Sequence, residues 1–271
     1  MTQWPDKLIQ VFERLGYEHY GPRIQTFVQR WGGWDQETCL RILREGEGED
    51  KLISLFLLGE EPSKQVRSWL LPFLQSPQPK ERWVCALVLG QMQAEEALPV
   101  LLSMLTEFFP PPEHPTFLGE DLWFYNMWRR RALLLLTAWP LPEVDSRLLQ
   151  ALYAYHELEQ AIPEDHMIGR REWRKSQALV MYTLGWHERF DLLDEVVKAL
   201  AIVQPTLSSW RVYLALGSLH AHRIHPRITS LSLSKLPDLR EQVKEVLQER
   251  FGLTEEDQER CLDYYQVQLF W

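Results

Sequence analysis

The stretch RWVCALVLG at residues 82–90 and the stretch ALPVLLSML at residues 97–105 decide the fold of this chain. Their apolar residues recur at intervals of three and four, which is the period of an amphipathic helix rather than of a strand. A shorter apolar segment at 68–74 precedes them, and a proline-rich turn separates it from the next helix. The pattern predicts a hairpin of two helices, 68–74 and 80–91, and a new hairpin that begins with 97–105.

A tryptophan and an arginine stand side by side near the start of each predicted second helix. The pairs are Arg82-Trp83, Trp128-Arg129, Trp173-Arg174 and Trp210-Arg211, and their tryptophans are 45, 45 and 37 residues apart. Helix-pair repeats have a period of roughly 40 to 47 residues. The chain lacks the alternating β-branched and aromatic runs that predict strands. We therefore predict an all-α fold built of repeated hairpins, in which Trp83 is buried.

The quoted segments resemble HEAT repeats, including the short HEAT-like repeats of many bacterial proteins. ALPVLL at 97–102 corresponds to a first helix and RWVCALVLG to a second helix. The likeness is good over 51–105 and degenerate from there to 225, and most units lack the usual Asp-x-x-Val-Arg turn. The resemblance implies a right-handed α-solenoid that forms a single domain over 1–271. The expected divisions are an N-terminal helical cap at 1–50, repeats at 51–236 and a short C-terminal helical cap at 237–271.

Two irregular stretches interrupt the predicted repeats. A proline-rich insert is expected at 108–122, and its part 108–119 cannot be a regular helix, since proline lacks a backbone donor and restricts the residue before it. A second stretch, 161–170, falls at the corresponding place in the next unit. Because the two stretches occupy equivalent positions in successive hairpins, we expect both loops on one edge of the stacked repeats, which is often the binding edge. For Phe108, Phe109 and Phe117, two interpretations stay open: they dock a partner, or they cover an incomplete core.

Composition limits the classes of function. The chain has 271 residues, 45% of them hydrophobic, and a net charge of -9 that argues against general affinity for nucleic acid. The segment 237–271 holds nine acidic residues against four basic ones, so the C-terminal cap is acidic. No long apolar run or secretory leader is evident, so we expect a cytoplasmic protein that does not enter a membrane. The isolated Cys39, Cys85 and Cys261 suggest reduced core thiols.

A search for reactive chemistry identifies no catalytic, cofactor-binding or metal-binding residue. His156 begins a metalloprotease-like pattern, but Gln160 stands where the second histidine is needed. His220, His222 and His225 are interpreted as a surface helix end. The glycines at 46 and 48 lie among acidic residues that would repel phosphate, so this stretch is interpreted as a connection with capping by Glu49 or Asp50. We expect a protein that is not an enzyme and needs no cofactor.

The remaining candidate is a basic stripe next to the tryptophans. Its members are Arg129, Arg130, Arg170, Arg171 and Arg174. They either bind an acidic segment of an unidentified protein partner, or they pair with carboxylates and cap carbonyl groups while the tryptophans fill the core. The leading hypothesis is a non-catalytic interaction scaffold. The alternatives are a HEAT-like bilin lyase or chromophore-attachment accessory protein, which would need a chromophore pocket, and a HEAT-like DNA glycosylase, which the acidic charge disfavours.

Overall fold

The computed structural model describes residues 6–15, 20–107, 120–163, 167–222 and 237–263. Every regular element in these ranges is a helix and none is a strand, which confirms the all-α prediction. The α-helices are α1 (Asp6–Arg14), α2 (Gly21–Trp31), α3 (Gln36–Glu45), α4 (Glu49–Gly59), α5 (Lys64–Leu70), α6 (Pro79–Gln91), α7 (Leu98–Thr106), α8 (Glu120–Leu135), α9 (Pro142–Ala161), α10 (Met167–Trp186), α11 (Leu193–Leu200), α12 (Gln204–His222), α13 (Pro237–Phe251) and α14 (Glu255–Asp263). Short 3-10 helices span Leu71–Gln75, Glu95–Ala97, Leu136–Ala138 and Phe190–Leu192.

Some predicted boundaries are wrong by a few residues. The insert predicted at 108–122 ends earlier, because α8 already begins at Glu120, and the irregular stretch 161–170 ends where α10 begins at Met167. The N-terminal boundary after residue 50 falls inside the first turn of α4. Phe108, Phe109 and Phe117 lie outside the described residues, so both interpretations of them stay open.

The chain divides into two compact units, Met1–Leu135 and Leu136–Trp271. In the first unit α6 packs against α4, α7 and α8. Every side chain of α6 from Trp83 to Leu89 is apolar, and each is buried. A helix that is apolar all round belongs in an interior, so α6 forms the centre of this unit. The helices predicted at 80–91 and 97–105 are confirmed as α6 and α7.

The first helix of the predicted hairpin begins and ends earlier than expected. The structure has α5 over Lys64–Leu70 instead of a helix at 68–74. The hydroxyl of Ser63 accepts a hydrogen bond from the backbone N–H of Val66 at 3.1 Å and so caps the helix start. Pro72 lacks a backbone donor, and the chain continues through it as a 3-10 helix.

The chain leaves α6 and α10 through the same turn. Gln93 and Glu188 each have a positive φ, 54° and 59°, three residues after a glycine near the helix end. The next N–H donates to the carbonyl oxygen of the residue before that glycine, at 3.0 Å from Ala94 and at 2.9 Å from Arg189. This closure is the Schellman pattern. In both cases a 3-10 helix and then a short α-helix follow, so each unit contains the same helix–turn–helix element.

The four tryptophans of the Trp-Arg pairs are buried. Their exposed fractions are 0% for Trp83, 2% for Trp128, 0% for Trp173 and 3% for Trp210. The predicted burial of Trp83 is thereby confirmed. In the second unit Trp173 lies on α10 and Trp210 on α12, and these two helices pack against each other. The tryptophans therefore belong to the cores of their units and do not form an aromatic binding surface.

Candidate functional site: a basic cluster at the start of α10

The first three turns of α10 carry four cations, Arg170, Arg171, Arg174 and Lys175, which we call the basic cluster. No acidic residue occupies the first turn of this helix. The N-terminal end of a helix bears a partial positive charge, so cations there lower helix stability by about 0.3 to 1 kcal/mol each when they are close to that end. Of these four residues, only Arg170 lies in the first turn, where the dipole disfavours a cation and favours an anion.

Two of the arginines are held in place by their Nε atoms. Nε of Arg170 donates to the carbonyl oxygen of Ile162 at 2.9 Å, and Nε of Arg174 donates to Oε1 of Glu159 at 2.6 Å. Glu159 is buried, and its second oxygen accepts from Nε2 of Gln177 at 2.7 Å. Because Glu159 is fixed from two sides, the direction of the Arg174 side chain is fixed as well.

The rest of the cluster remains accessible. Arg171 is exposed, and 54% of the Arg174 side chain is exposed. Within the described part of the chain, the Nη groups of Arg170 and Arg174 form no hydrogen bond, and Arg171 forms none at all. Lys175 pairs with Glu172 at 2.8 Å and so contributes less net charge. The cluster thus presents guanidinium N–H groups that can bind an anion.

The spacing of these arginines suits an acidic peptide. Arg170 and Arg174 are four residues apart, which places them on one face of α10 and about 6 Å apart along its axis. Alternate side chains of an extended segment, which point the same way, are separated by about 6.6 Å. Guanidinium groups bind carboxylates with two parallel hydrogen bonds. Two carboxylates of such a segment could therefore bind two guanidinium groups at once.

Arg129, a predicted member of the basic stripe, is not available to a partner. Its side chain is 1% exposed and donates to the carbonyl oxygens of Met104 at 2.9 Å and Glu107 at 2.8 Å. A third bond goes to Oδ1 of Asn126 at 2.5 Å, and the guanidinium lies 5.9 Å from the ring centre of Trp83. Arg129 therefore has the structural role that was the alternative interpretation, and its assignment to a binding surface is wrong.

The other arginines of the Trp-Arg pairs outside α10 also make internal contacts. Arg82 donates to the carbonyl oxygen of Ser76 at 2.9 Å, and the guanidinium of Arg211 lies 5.6 Å from the ring centre of Phe251. Arg130 is half-buried and belongs, like Arg129, to the first unit. Of the five predicted members, Arg170, Arg171 and Arg174 are the three that the structure brings together on one helix.

The histidines differ in part from the sequence interpretation. His220 is buried rather than at the surface, and its Nδ1 lies 2.7 Å from the hydroxyl of Tyr182. Burial lowers the pKa of His220 to about 4. His222 is exposed and lies 3.3 Å from Glu188, whereas His225 falls outside the described residues. Among the described residues, no group of three His, Cys, Asp or Glu side chains has the arrangement of a metal site.

The thiols and the acidic connection have structural roles. Cys39, Cys85 and Cys261 are unpaired and buried, and burial raises the pKa of Cys39 to about 12. The expected capping of α4 by Glu49 or Asp50 is wrong, because Gly48 occupies the cap position and provides no side chain. The two carboxylates instead pair with arginines of α2 across a cavity of about 290 Å³, Glu49 with Arg23 at 3.0 Å and Asp50 with Arg30 at 2.6 Å.

Comparison with protein-family models, with curated proteins and with solved structures finds no match to this chain. None of the helices in the described ranges has the length and apolar character that crossing a membrane requires.

Proposed function

We propose that this protein is a non-catalytic interaction scaffold whose basic cluster binds an acidic segment of a protein partner. The observation that carries the proposal is the grouping of Arg170, Arg171 and Arg174 in the first three turns of α10, with two of them anchored through Nε and their Nη groups accessible. Carboxylates of an acidic segment would pair with the guanidinium groups of these arginines. The excess of acid elsewhere in the chain would repel such a segment from other surfaces.

Anchoring of the arginines favours specific binding. An unrestrained arginine loses about 2 kcal/mol of side-chain entropy when a partner fixes it. Arg170 and Arg174 are already restrained by their Nε bonds to Ile162 and Glu159. A smaller part of the binding energy is then lost on ordering these side chains.

We propose in addition that the helices form a HEAT-like α-solenoid, with α13 and α14 as an acidic C-terminal cap. The support is internal to the chain: the turn after α6 recurs after α10 with the same positive φ and the same hydrogen-bond closure. α13 begins at Pro237, where the cap was predicted to begin. Solenoids present long surfaces to partners, which suits a scaffold.

The proposal is tested with a fluorescein-labelled peptide of alternating Glu and Ser, whose binding is measured by fluorescence anisotropy at low ionic strength. Reversal of two exposed charges, Arg171→Glu with Arg174→Glu, should weaken binding at least tenfold. The control reverses two exposed cations of the same unit, Arg147→Glu with Lys198→Glu, and changes the net charge equally. If the two double variants lose the same affinity, only the net charge matters and the proposed site is wrong.

A further inference from the structure

The helix α14 of the second unit carries a concentrated negative charge. Its residues, Glu255–Asp263, include five acidic side chains and one arginine. Gln258, Cys261 and Leu262 are buried, and the helix packs against α12 and α13. The exposed side chains, which we call the acidic face, are Glu255, Glu256, Arg260 and Asp263.

The two glutamates at the start of α14 are accessible to a second cation. The Glu256 side chain is 76% exposed and pairs within its own helix, with Arg260 four residues later at 2.5 Å. An exposed pair of this kind adds little stability, because water competes for both charges and salt screens them. Glu255 is exposed and forms no ion pair within the described part of the chain. A cation from another molecule could therefore bind either glutamate without breaking a strong contact.

The first turn of α14 is held in place by its own side chains. The hydroxyl of Thr254 accepts a hydrogen bond from the backbone N–H of Asp257 at 3.3 Å and so caps the helix start. Nε2 of Gln258 donates to the carbonyl oxygen of Leu253 at 2.8 Å. Because the backbone that carries the glutamates is already ordered, a partner that binds them loses less free energy on ordering this segment.

Helix capping explains part of the acid in α14. The positive end of the helix dipole favours carboxylates in the first turn, and Glu143 and Asp194 occupy such positions in α9 and α11 of the same unit. Asp263 is the last residue of α14, where the dipole disfavours a carboxylate. Capping alone therefore does not account for the acidic face.

The basic cluster and the acidic face belong to one unit, and no ion pair joins them in the described part of the chain. Arg174 pairs with Glu159, whereas the acidic residues of α14 pair within α14 or with α13. α13 is held at the far end of α10, where Nη2 of Arg250 binds Oε2 of Glu188 at 2.7 Å. Arg174 lies about 18 Å along the axis from Trp186, the last residue of α10. Within one chain, the two surfaces therefore do not neutralise each other.

We propose, on the basis of the proposed function of the basic cluster, that the acidic segment it binds is the acidic face of α14 in a second copy of this chain. Arg170, Arg171 and Arg174 supply guanidinium groups, and each can bind a carboxylate with two parallel hydrogen bonds. Copies with a net charge of -9 repel each other where acidic surfaces meet, which favours the orientation that brings the cluster to the acidic face. Since each copy carries both surfaces, the same contact can form in both directions.

The test is sedimentation equilibrium of the full chain in about 0.1 M sodium chloride, where the Debye length of about 10 Å limits the long-range repulsion between copies. The wild-type protein should associate as its concentration rises. Glu255→Lys with Glu256→Lys, the α14 variant, should weaken association at least about tenfold, because like charges then face each other. Arg171→Glu with Arg174→Glu, the α10 variant, should weaken it as much for the same reason.

The control for the α14 variant is Glu143→Lys with Asp194→Lys. Both residues are exposed acids in the first turn of a helix of the same unit, so this variant changes the net charge and the helix starts in the same way. It should associate like the wild-type protein. A loss of association equal to that of the α14 variant would mean that net charge alone governs self-association, and would overturn the proposal.

A mixture of the α10 variant and the α14 variant gives the sharper result. The α10 variant is acidic at both surfaces and the α14 variant is basic at both, so each repels its own copies. An equimolar mixture brings opposite charges together at both contacts and should associate nearly as tightly as the wild-type protein. A mixture that stays as monomeric as its two components would contradict the pairing of these two surfaces.

An experiment on the wild-type protein needs no variant to fold. An excess of the labelled Glu-Ser peptide should compete for the basic cluster and dissociate the assembly. If the wild-type protein binds the peptide but remains monomeric at every concentration, the self-association is wrong and the proposed function stands. If it neither binds the peptide nor associates, both are wrong. Association that the bound peptide leaves unchanged would show that copies meet through another surface, which also overturns the proposal.

Discussion

A Cβ atom on Gly217 of α12 would lie 2.0 Å from the carbonyl oxygen of Tyr182 on α10. The same atom would lie 2.7 Å from the backbone nitrogen of Trp186. The approach is reciprocal, since a Cβ atom on Gly185 of α10 would lie 2.1 Å from the carbonyl oxygen of Leu214. The two helices thus pack with their backbones in contact, which only glycine permits at these two positions.

Substitution Gly217→Ala should destabilise the protein, although alanine favours helix formation by about 1 kcal/mol over glycine. The methyl group collides with backbone atoms, which cannot rotate away as a side chain can, so α10 and α12 must separate. We expect a loss of about 3 kcal/mol in the free energy of unfolding, measured by urea denaturation.

The control is Gly21→Ala in α2, where no atom lies within 4 Å of the added methyl group. This substitution should change the free energy of unfolding by less than about 1 kcal/mol. Equal effects of the two substitutions would contradict the backbone contact.

The sequence predicts local features of this fold better than contacts between distant residues. The helices at 80–91 and 97–105 follow from their own periodicity, and the burial of Trp83 follows from its repetition. The sequence could not decide between the two interpretations of Arg129, because its acceptors, the carbonyl oxygens of Met104 and Glu107, are 25 and 22 residues away along the chain. Gly217 carries a sequence signal of another kind, because a glycine follows a tryptophan by seven residues twice, as Trp83 to Gly90 and as Trp210 to Gly217.

The basic cluster was predicted in part. The density of arginine at 170–174 is visible in the sequence, whereas the anchoring of Arg174 depends on Glu159, which is 15 residues away on α9.

Asp145 is a buried carboxylate that connects α9 to the turn after α10. Its Oδ1 lies 2.7 Å from Nδ1 of His187, and its Oδ2 accepts from Nη1 of Arg189 at 2.5 Å. Asp145→Asn removes the negative charge. The amide NH2 group of the asparagine then faces either His187 or Arg189, so that two hydrogen-bond donors oppose each other. Loss of a buried partner should cost about 2 to 4 kcal/mol in the free energy of unfolding.

The control for this substitution is Asp191→Asn, because Arg189 also binds Asp191, at 3.0 Å through two nitrogens. Asp191 is exposed over 63% of its side chain. Water and salt screen this pair, so its loss should change stability by less than about 1 kcal/mol. A larger effect from Asp191→Asn than from Asp145→Asn would show that burial does not govern the network around Arg189.

His220 should make stability depend on pH. Burial lowers its folded-state pKa to about 4, from an ordinary value of 6.5. The hydroxyl of Tyr182, whose pKa burial raises, lies 2.7 Å from Nδ1 of His220, so no carboxylate at this contact favours the charged imidazolium. As pH falls from 6.5 toward 4, the unfolded chain takes up a proton at this residue that the folded chain does not. Stability should therefore fall across this window, by as much as about 3 kcal/mol from this group.

The contribution of His220 is isolated by comparing variants, since carboxylates also titrate in this range. Urea denaturation between pH 7 and pH 4.5 should show a shallower fall for His220→Gln than for the wild-type protein. His222→Gln, at an exposed position two residues away, should follow the wild-type profile more closely. If His220→Gln has the wild-type dependence on pH, the folded protein binds that proton as readily as the unfolded chain.

Arg174→Lys tests whether the basic cluster acts through geometry or through charge alone. Arginine can bind Glu159 through Nε and still present both Nη groups to a partner. Lysine has a single ammonium group. A lysine that pairs with Glu159 therefore has fewer N–H donors left to bind an acidic peptide. We expect the variant to keep its association rate, because long-range attraction depends on charge, and to dissociate several-fold faster.

Arg171→Lys is the matched control, since Arg171 has no described partner to compete for the ammonium group, and it should dissociate at nearly the wild-type rate. Stopped-flow fluorescence with the labelled Glu-Ser peptide measures both rates. Equal dissociation rates for the two variants would mean that the bond to Glu159 does not position Arg174 for binding.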